Sequence, residues 1–215
     1  ALAMALFMIG YSTTTSFGLY YFKYVYGDEG MYSIFALILG VSQIFALSIF
    51  PVLGKRYPRK KLYAFSTALV VAGYLIFFFA PTNTMLFIGI AGLILFIGQA
   101  FIQVMTLMFL TDSVEYGEWK FGKRNDSVTF SLQPFINKMG GAIASGVVGA
   151  IVIVSGMSQA QSAADMTTSG IFILKIAMMV FPLICIVIGF LVYRSKYILD
   201  EEMYGKIVRE LGERK

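Results

Sequence analysis

Apolar residues run through this chain in blocks of about twenty, separated by short polar or charged breaks. Ala1–Phe22 contains no charged residue, and neither does Leu62–Thr111. Runs of this length are spanning helices rather than core helices of a soluble domain. A helix rising about 1.5 Å per residue needs about 20 residues to cross a hydrocarbon core about 30 Å thick. The breaks predict six spans, at about 1–22, 31–53, 62–80, 85–111, 127–155 and 170–193. The predicted fold class is all-α integral membrane: a six-helix transmembrane bundle over 1–193, a charged connection at 112–126 and a tail at 194–215. The tail reads as an amphipathic helix at the membrane surface. The short loops predict that consecutive helices are antiparallel neighbours.

Polar residues inside the blocks are the next signal. Tyr11–Ser16 give the first span a polar middle. Helix packing through hydroxyls and the lining of a wet cavity account for it equally well. Gly40, Ser42 and Gln43 form a small polar patch in the second span. In the fourth, Gly89, Gly92, Gly98 and Ala100 permit close helix approach, and Gln99 and Gln103 are amides at depth that need partners, for which sugar hydroxyls are suited. Lys175 lies about one turn inside the sixth span and can snorkel to the interface. Lys138 cannot be dismissed that way. If the fifth span enters the bilayer near Ser127, Lys138 lies eleven residues in, roughly 16 Å. An ammonium at that depth calls for an anion, a polar cavity or a substrate.

Composition agrees with the pattern. The chain is 58% hydrophobic and 13% charged, against about 25% charged in soluble domains. Fourteen of the 17 Lys and Arg fall at 54–61, 112–126 and 194–215, which predicts a cytoplasmic side for these segments and for both ends. The net charge of +5 is therefore a topology signal, not a nucleic-acid one. There is no His, and Cys185 is the single Cys, which excludes Ser-His-Asp catalysis and His-ligated metals. All twelve Asp and Glu lie in loops, at span ends or in the tail. A cation-coupled carrier needs an intramembrane site, commonly a carboxylate, so a coupling site is expected outside this chain. The chain opens on ALAMAL, apolar and without a basic leader, and reads as one entered partway through.

The run from Asp112 to Gly141 resembles the glycoside–pentoside–hexuronide:cation symporter family, the branch of the major facilitator superfamily that includes the melibiose permease. The pattern is carried by Asp112, Ser113, Val114, Glu115, Tyr116, Gly117, Glu118 and Lys120, then by Ser131, Leu132, Gln133, Ile136, Lys138 and Gly140. The resemblance extends over the whole chain. It implies that the six spans are the carboxy-terminal half of a twelve-helix transporter. Its partners would be the amino-terminal six-helix half, a sugar, a monovalent cation (Na⁺ or H⁺, held mainly in the other half) and the lipid bilayer. No cofactor is implied. The location implied is the inner membrane of a bacterium. The substrate-binding residues it implies are Lys138, Gln133, Asn137 and Gln103. The cytoplasmic gating residues are Asp112, Glu115, Tyr116, Glu118, Lys120 and Arg124. Two positions depart from the permease: Gln103 stands where it has Trp, and Pro134 where it has a hydroxyl residue. GKRYPRKK at 54–61 resembles the superfamily's basic loop but lacks its Asp, so no gating role passes to it.

The function expected is secondary active sugar:cation symport by alternating access, not catalysis. Two readings rival it: an exporter of another small molecule in the same superfamily, which calls for a greasy aromatic cavity, and a membrane sugar sensor without flux. Lys138 can alternatively snorkel without touching substrate, and 112–126 can be a solvated loop that only sets topology.

Overall fold

The computed structural model describes residues 1–82, 84–199 and 201–213, and the described residues form helices without strands. Six helices are long and apolar enough to cross a membrane: α1 (Leu2–Tyr26), α2 (Met31–Arg56), α3 (Arg59–Phe79), α4 (Met85–Phe121), α5 (Asp126–Val154) and α6 (Thr168–Lys196). A seventh, α7 (Glu201–Glu213), is amphipathic, with Ile207 buried. Within the tail at 194–215, residues 194–196 end α6 and 201–213 form α7, and Asp200, Arg214 and Lys215 lie outside the described residues. Asn83, in the predicted turn before α4, is outside them too.

The helices overrun the apolar blocks. α4 has 37 residues, about 55 Å of helix, so roughly 25 Å extends beyond a membrane core. The stretch predicted as a connection at 112–126 is helical through Phe121, and only 122–125 is loop. Glu, Lys and Tyr tolerate a helix well, so loss of hydropathy marks the bilayer boundary and not the helix end. The stop comes from Gly122, at φ 66°, whose N–H bonds the Glu118 carbonyl at 2.9 Å.

Chain neighbours are mostly not packing neighbours. α3 lies along α4, as expected. α1 instead packs on α5 and on the second half of α6, while α2 packs on α4 and barely meets α3. Small residues set the closest approach: a Cβ at Gly73 would stand 2.7 Å from the Leu95 backbone, and one at Gly98 would stand 2.8 Å from the Ser66 carbonyl. Two aromatic clusters close the ends. Phe22, Phe35, Phe77 and Phe96 join α1 to α4 near one end, with Phe35 5.2 Å from Phe22 and 5.1 Å from Phe96. Tyr63, Phe109, Tyr193 and Tyr197 join α3, α4 and the end of α6, with rings 4.5–5.8 Å apart.

The packing reading holds for one face of the polar middle of α1. Thr13 and Thr14 are fully buried. Thr14 Oγ1 lies 2.5 Å from the Tyr74 hydroxyl, and Gln99 Nε2 donates to that hydroxyl at 3.0 Å. Gln99 is therefore part of the packing between α1, α3 and α4 through its Nε2, while its Oε1 is buried without a partner. Thr14 is also 3.1 Å from the Met178 carbonyl. Pro182, four residues on, has no N–H to give that carbonyl, and the neighbouring five-residue π-helical turn at Ile176–Val180 accommodates the ring. Tyr11, Ser12 and Thr15 remain half-buried on other faces of α1.

Candidate functional site

The charged end of the bundle is built around one buried carboxylate. Asp112 is 2% exposed and forms an ion pair with Arg59 Nη1 at the start of α3. Its Oδ2 also accepts from the Tyr197 hydroxyl at 2.7 Å. Arg59 does more than pair. Its backbone N–H donates to Glu201, and its guanidinium stands 4.4 Å from the centre of the Tyr204 ring. Burial pushes the Tyr197 phenol up, with the Asp112 bond adding to the effect. Burial and then Glu115 push Tyr204 up to about 12. Both phenols stay protonated and able to donate at neutral pH. Trp119 Nε1 donates to Glu210 at 2.6 Å, which fastens α7 to the extension of α4.

Of the six gating residues expected, Asp112 and Glu115 face this cluster. Tyr116 accepts from Lys120 Nζ at 3.2 Å, one turn apart on the exposed side. Glu118 and Asp126 both bond Arg124, at 3.0 and 2.6 Å, which ties the end of α4 to the start of α5 across the loop. The two acidic partners hold the exposed Arg124 guanidinium above its usual range, Asp126 the more strongly. The six therefore split into a buried group and an exposed one. Sequence reasoning missed Arg59, Tyr197 and Tyr204. Arg59 is half-buried while Lys55, Arg56, Lys60 and Lys61 are exposed, and a run of five cations gives no sign of which one turns inward.

The four expected substrate residues lie in the middle of the bundle but do not close a pocket. The stripe of α5 against α1 is Ile136, Gly140, Ala144 and Val148. Gly140 meets the Met8 backbone, 3.1 Å from where its Cβ would stand. Gln133 and Asn137 flank this stripe and are half-buried, and Asn137 Oδ1 is buried without a hydrogen-bond partner. Gln103 is half-buried on α4. Lys138 is exposed, and lies about 160° around α5 from Gly140. Its face continues through exposed Ser131, Ala142 and Ser145. A cavity of 360 Å³ lies at the charged end beside Tyr63, Phe109 and Tyr193, and none of the four borders it.

A further polar pair bridges α1 and α2. Gln43 Nε2 donates to the Tyr11 hydroxyl at 3.1 Å, and both side chains are half-buried. Lys175, in α6, stands 5.0 Å from the centre of the Phe78 ring. Among the described residues no cluster of three or more His, Cys, Asp or Glu could hold a metal ion.

The described residues thus form a six-helix apolar bundle with an exposed cation midway along α5 and a charge-paired end. The family model for MFS/sugar transport proteins matches residues 1–201, and the chain belongs to that family, as the motif between Asp112 and Gly140 implies. It is 36% identical over 211 residues to the raffinose carrier protein of Pediococcus pentosaceus, and 33% identical over 211 residues to the lactose permease of Leuconostoc lactis. Each match covers 98% of this chain and 33% of the relative, so the chain spans about a third of their length. It is also 28% identical over 202 residues (91% of this chain, 42% of the relative) to an Escherichia coli K12 protein whose name marks it as a candidate 2,3-dihydroxypropane-1-sulfonate exporter. By name these relatives are transport proteins, not enzymes.

Proposed function

We propose that this chain is the carboxy-terminal half of a sugar:cation symporter of a bacterial inner membrane, and that transport proceeds by rocking of the two halves around a midplane site. Lys138 carries the reading. Its position on the open face of α5, about 18 Å from the helix start, would put a bare ammonium in hydrocarbon. A second half carrying a carboxylate there removes that cost. The same carboxylate would hold the coupling cation, Na⁺ or H⁺, so that Lys138 senses its occupancy. Gln133, Asn137 and Gln103 offer amides to sugar hydroxyls. The unpartnered Asn137 Oδ1 supports this, because a buried acceptor without a bond costs about 1–3 kcal/mol unless a ligand or water fills it. With both ends of the segment cytoplasmic, the Arg59–Asp112 cluster and the Arg124 pairs are contacts that tighten in one orientation and part in the other.

The test is uptake and counterflow by the full-length transporter in vesicles. Lys138→Ala is expected to abolish or uncouple cation-driven uptake at unchanged expression. Near-normal coupled uptake overturns the assignment. The exporter-like relative favours a second reading, an exporter of a small polar anion in the same fold. Flux that runs outward only, and no sugar counterflow, would select it. Sugar binding without any flux would select a sensor.

A further inference from the structure

From the Tyr11–Gln43 pair we infer a second saccharide subsite, separate from Gln133, Asn137 and Lys138 of α5 and reading the next ring of an oligosaccharide. The inference rests on the sugar-transporter reading above.

α1 and α2 meet at the end they share with their connecting loop, through Phe22 on Phe35 and the Tyr32 ring on Gly18. Away from that end each packs on other helices, α1 on α5 and α6, and α2 on α4. Among the described residues, Tyr11 to Gln43 is the one hydrogen bond between them. It sits where the two helices part, midway along both.

The chemistry of the pair is incomplete by itself. When Gln43 Nε2 donates to Tyr11, the phenolic O–H and the second Nε2–H are left as donors and Gln43 Oε1 as an acceptor. Turning the amide over leaves both Nε2 hydrogens as donors and the phenol oxygen as an acceptor. Donors and an acceptor held side by side suit two adjacent hydroxyls of a pyranose. The pair carries no charge, so it matches a neutral polyol better than a carboxylate or phosphate.

Its depth separates it from the α5 residues of the other site. α1 and α5, the first and fifth of six alternating spans, run the same way, and Met8 stands against Gly140. Tyr11 is three residues beyond Met8, while Asn137 and Lys138 precede Gly140 by three and two. Tyr11 is thus about 8–9 Å farther along the bundle than those residues, too far to share their sugar ring and near enough for the next.

The experiment is titration of purified full-length transporter with lactose, raffinose and galactose, comparing wild type with Gln43→Leu and Tyr11→Phe. Lactose and raffinose affinities are expected to fall about tenfold in each variant while galactose affinity is kept, since the single ring uses only the inner site. An equal loss for all three sugars, or no loss for any, overturns the subsite while leaving the transporter reading in place. A wild type that binds none of the three overturns both. Melting of the variants is read alongside. An unchanged Tm with selective loss supports recognition, and a lowered Tm with unselective loss makes the pair a brace between helices and overturns it.

Discussion

Arg59, at the first turn of α3, and Asp112, where α4 leaves its apolar block, form an ion pair whose side chains are 18% and 3% accessible. Tyr197, just past α6, donates to the same carboxylate oxygen. Three helices are thus held by one buried negative charge. Removing one member leaves the other uncompensated, which is costlier than losing the attraction itself. Arg59→Met and Asp112→Leu are each expected to destabilise by about 3 kcal/mol, and the double variant by much less than their sum. Thermal melting of the full-length transporter in detergent reads this, and additive losses would show the pair to be uncoupled.

The same cluster predicts what holds α7. Trp119→Phe removes the indole N–H that bonds Glu210 and keeps most of the ring packing. Faster proteolysis at Lys206 and Arg209 is expected, with little change in the overall melting temperature, because α7 contacts the bundle chiefly at the extension of α4.

Close helix contact is equally testable. Gly73→Ala places a methyl 2.7 Å from Leu95 backbone atoms, and a backbone cannot swing aside as a flexible side chain can. A loss of roughly 1–3 kcal/mol is expected, since α3 and α4 must separate. Gly205→Ala, where a Cβ meets nothing within 4 Å, should instead stabilise α7 by roughly 0.5–1 kcal/mol through helix propensity.

Tyr74→Phe tests the buried hydroxyl network. It deprives Gln99 and Thr14 of their shared partner while changing shape little. A cost of about 1–3 kcal/mol in stability is expected, with sugar affinity unaffected. A change in affinity at unchanged stability would move Gln99 back among the substrate amides.

The loop before α6 should respond to acid. Asp165 accepts from the Ser162 N–H at 2.8 Å, the Ser162 hydroxyl and the Gln161 N–H, which together hold its carboxyl below the usual value of 3.8. A depressed carboxylate contributes stability above its unfolded pKa and loses it as pH falls through the folded one. NMR titration of the Ser162 amide is expected to show its midpoint below 3.8, and Asp165→Asn to abolish the transition.

Much of this was readable beforehand, for a definite reason. A bilayer imposes a run length on any helix that crosses it, so six spans and the segregation of cations follow from residue order alone. The Asp112–Gly140 motif carries the family in the same way. Helix ends were not readable, because Glu, Lys and Tyr let α4 continue to Phe121 past the point where hydropathy falls. Arg59 was indistinguishable among five cations until α6 and α7 came to lie beside it. Hydropathy likewise treats Gln99 and Gln103 alike.

Those amides mark the boundary between the two kinds of determination. Local composition settles that a segment is apolar and helical, since each residue meets lipid or its own helix whatever the topology. Which face of the helix meets a neighbour depends on packing between elements far apart in the chain. The contact of α1 with α5 and α6 put Thr14 against Tyr74 and Gln99, opened Tyr11 toward Gln43, and turned Lys138 to the uncovered side of the bundle.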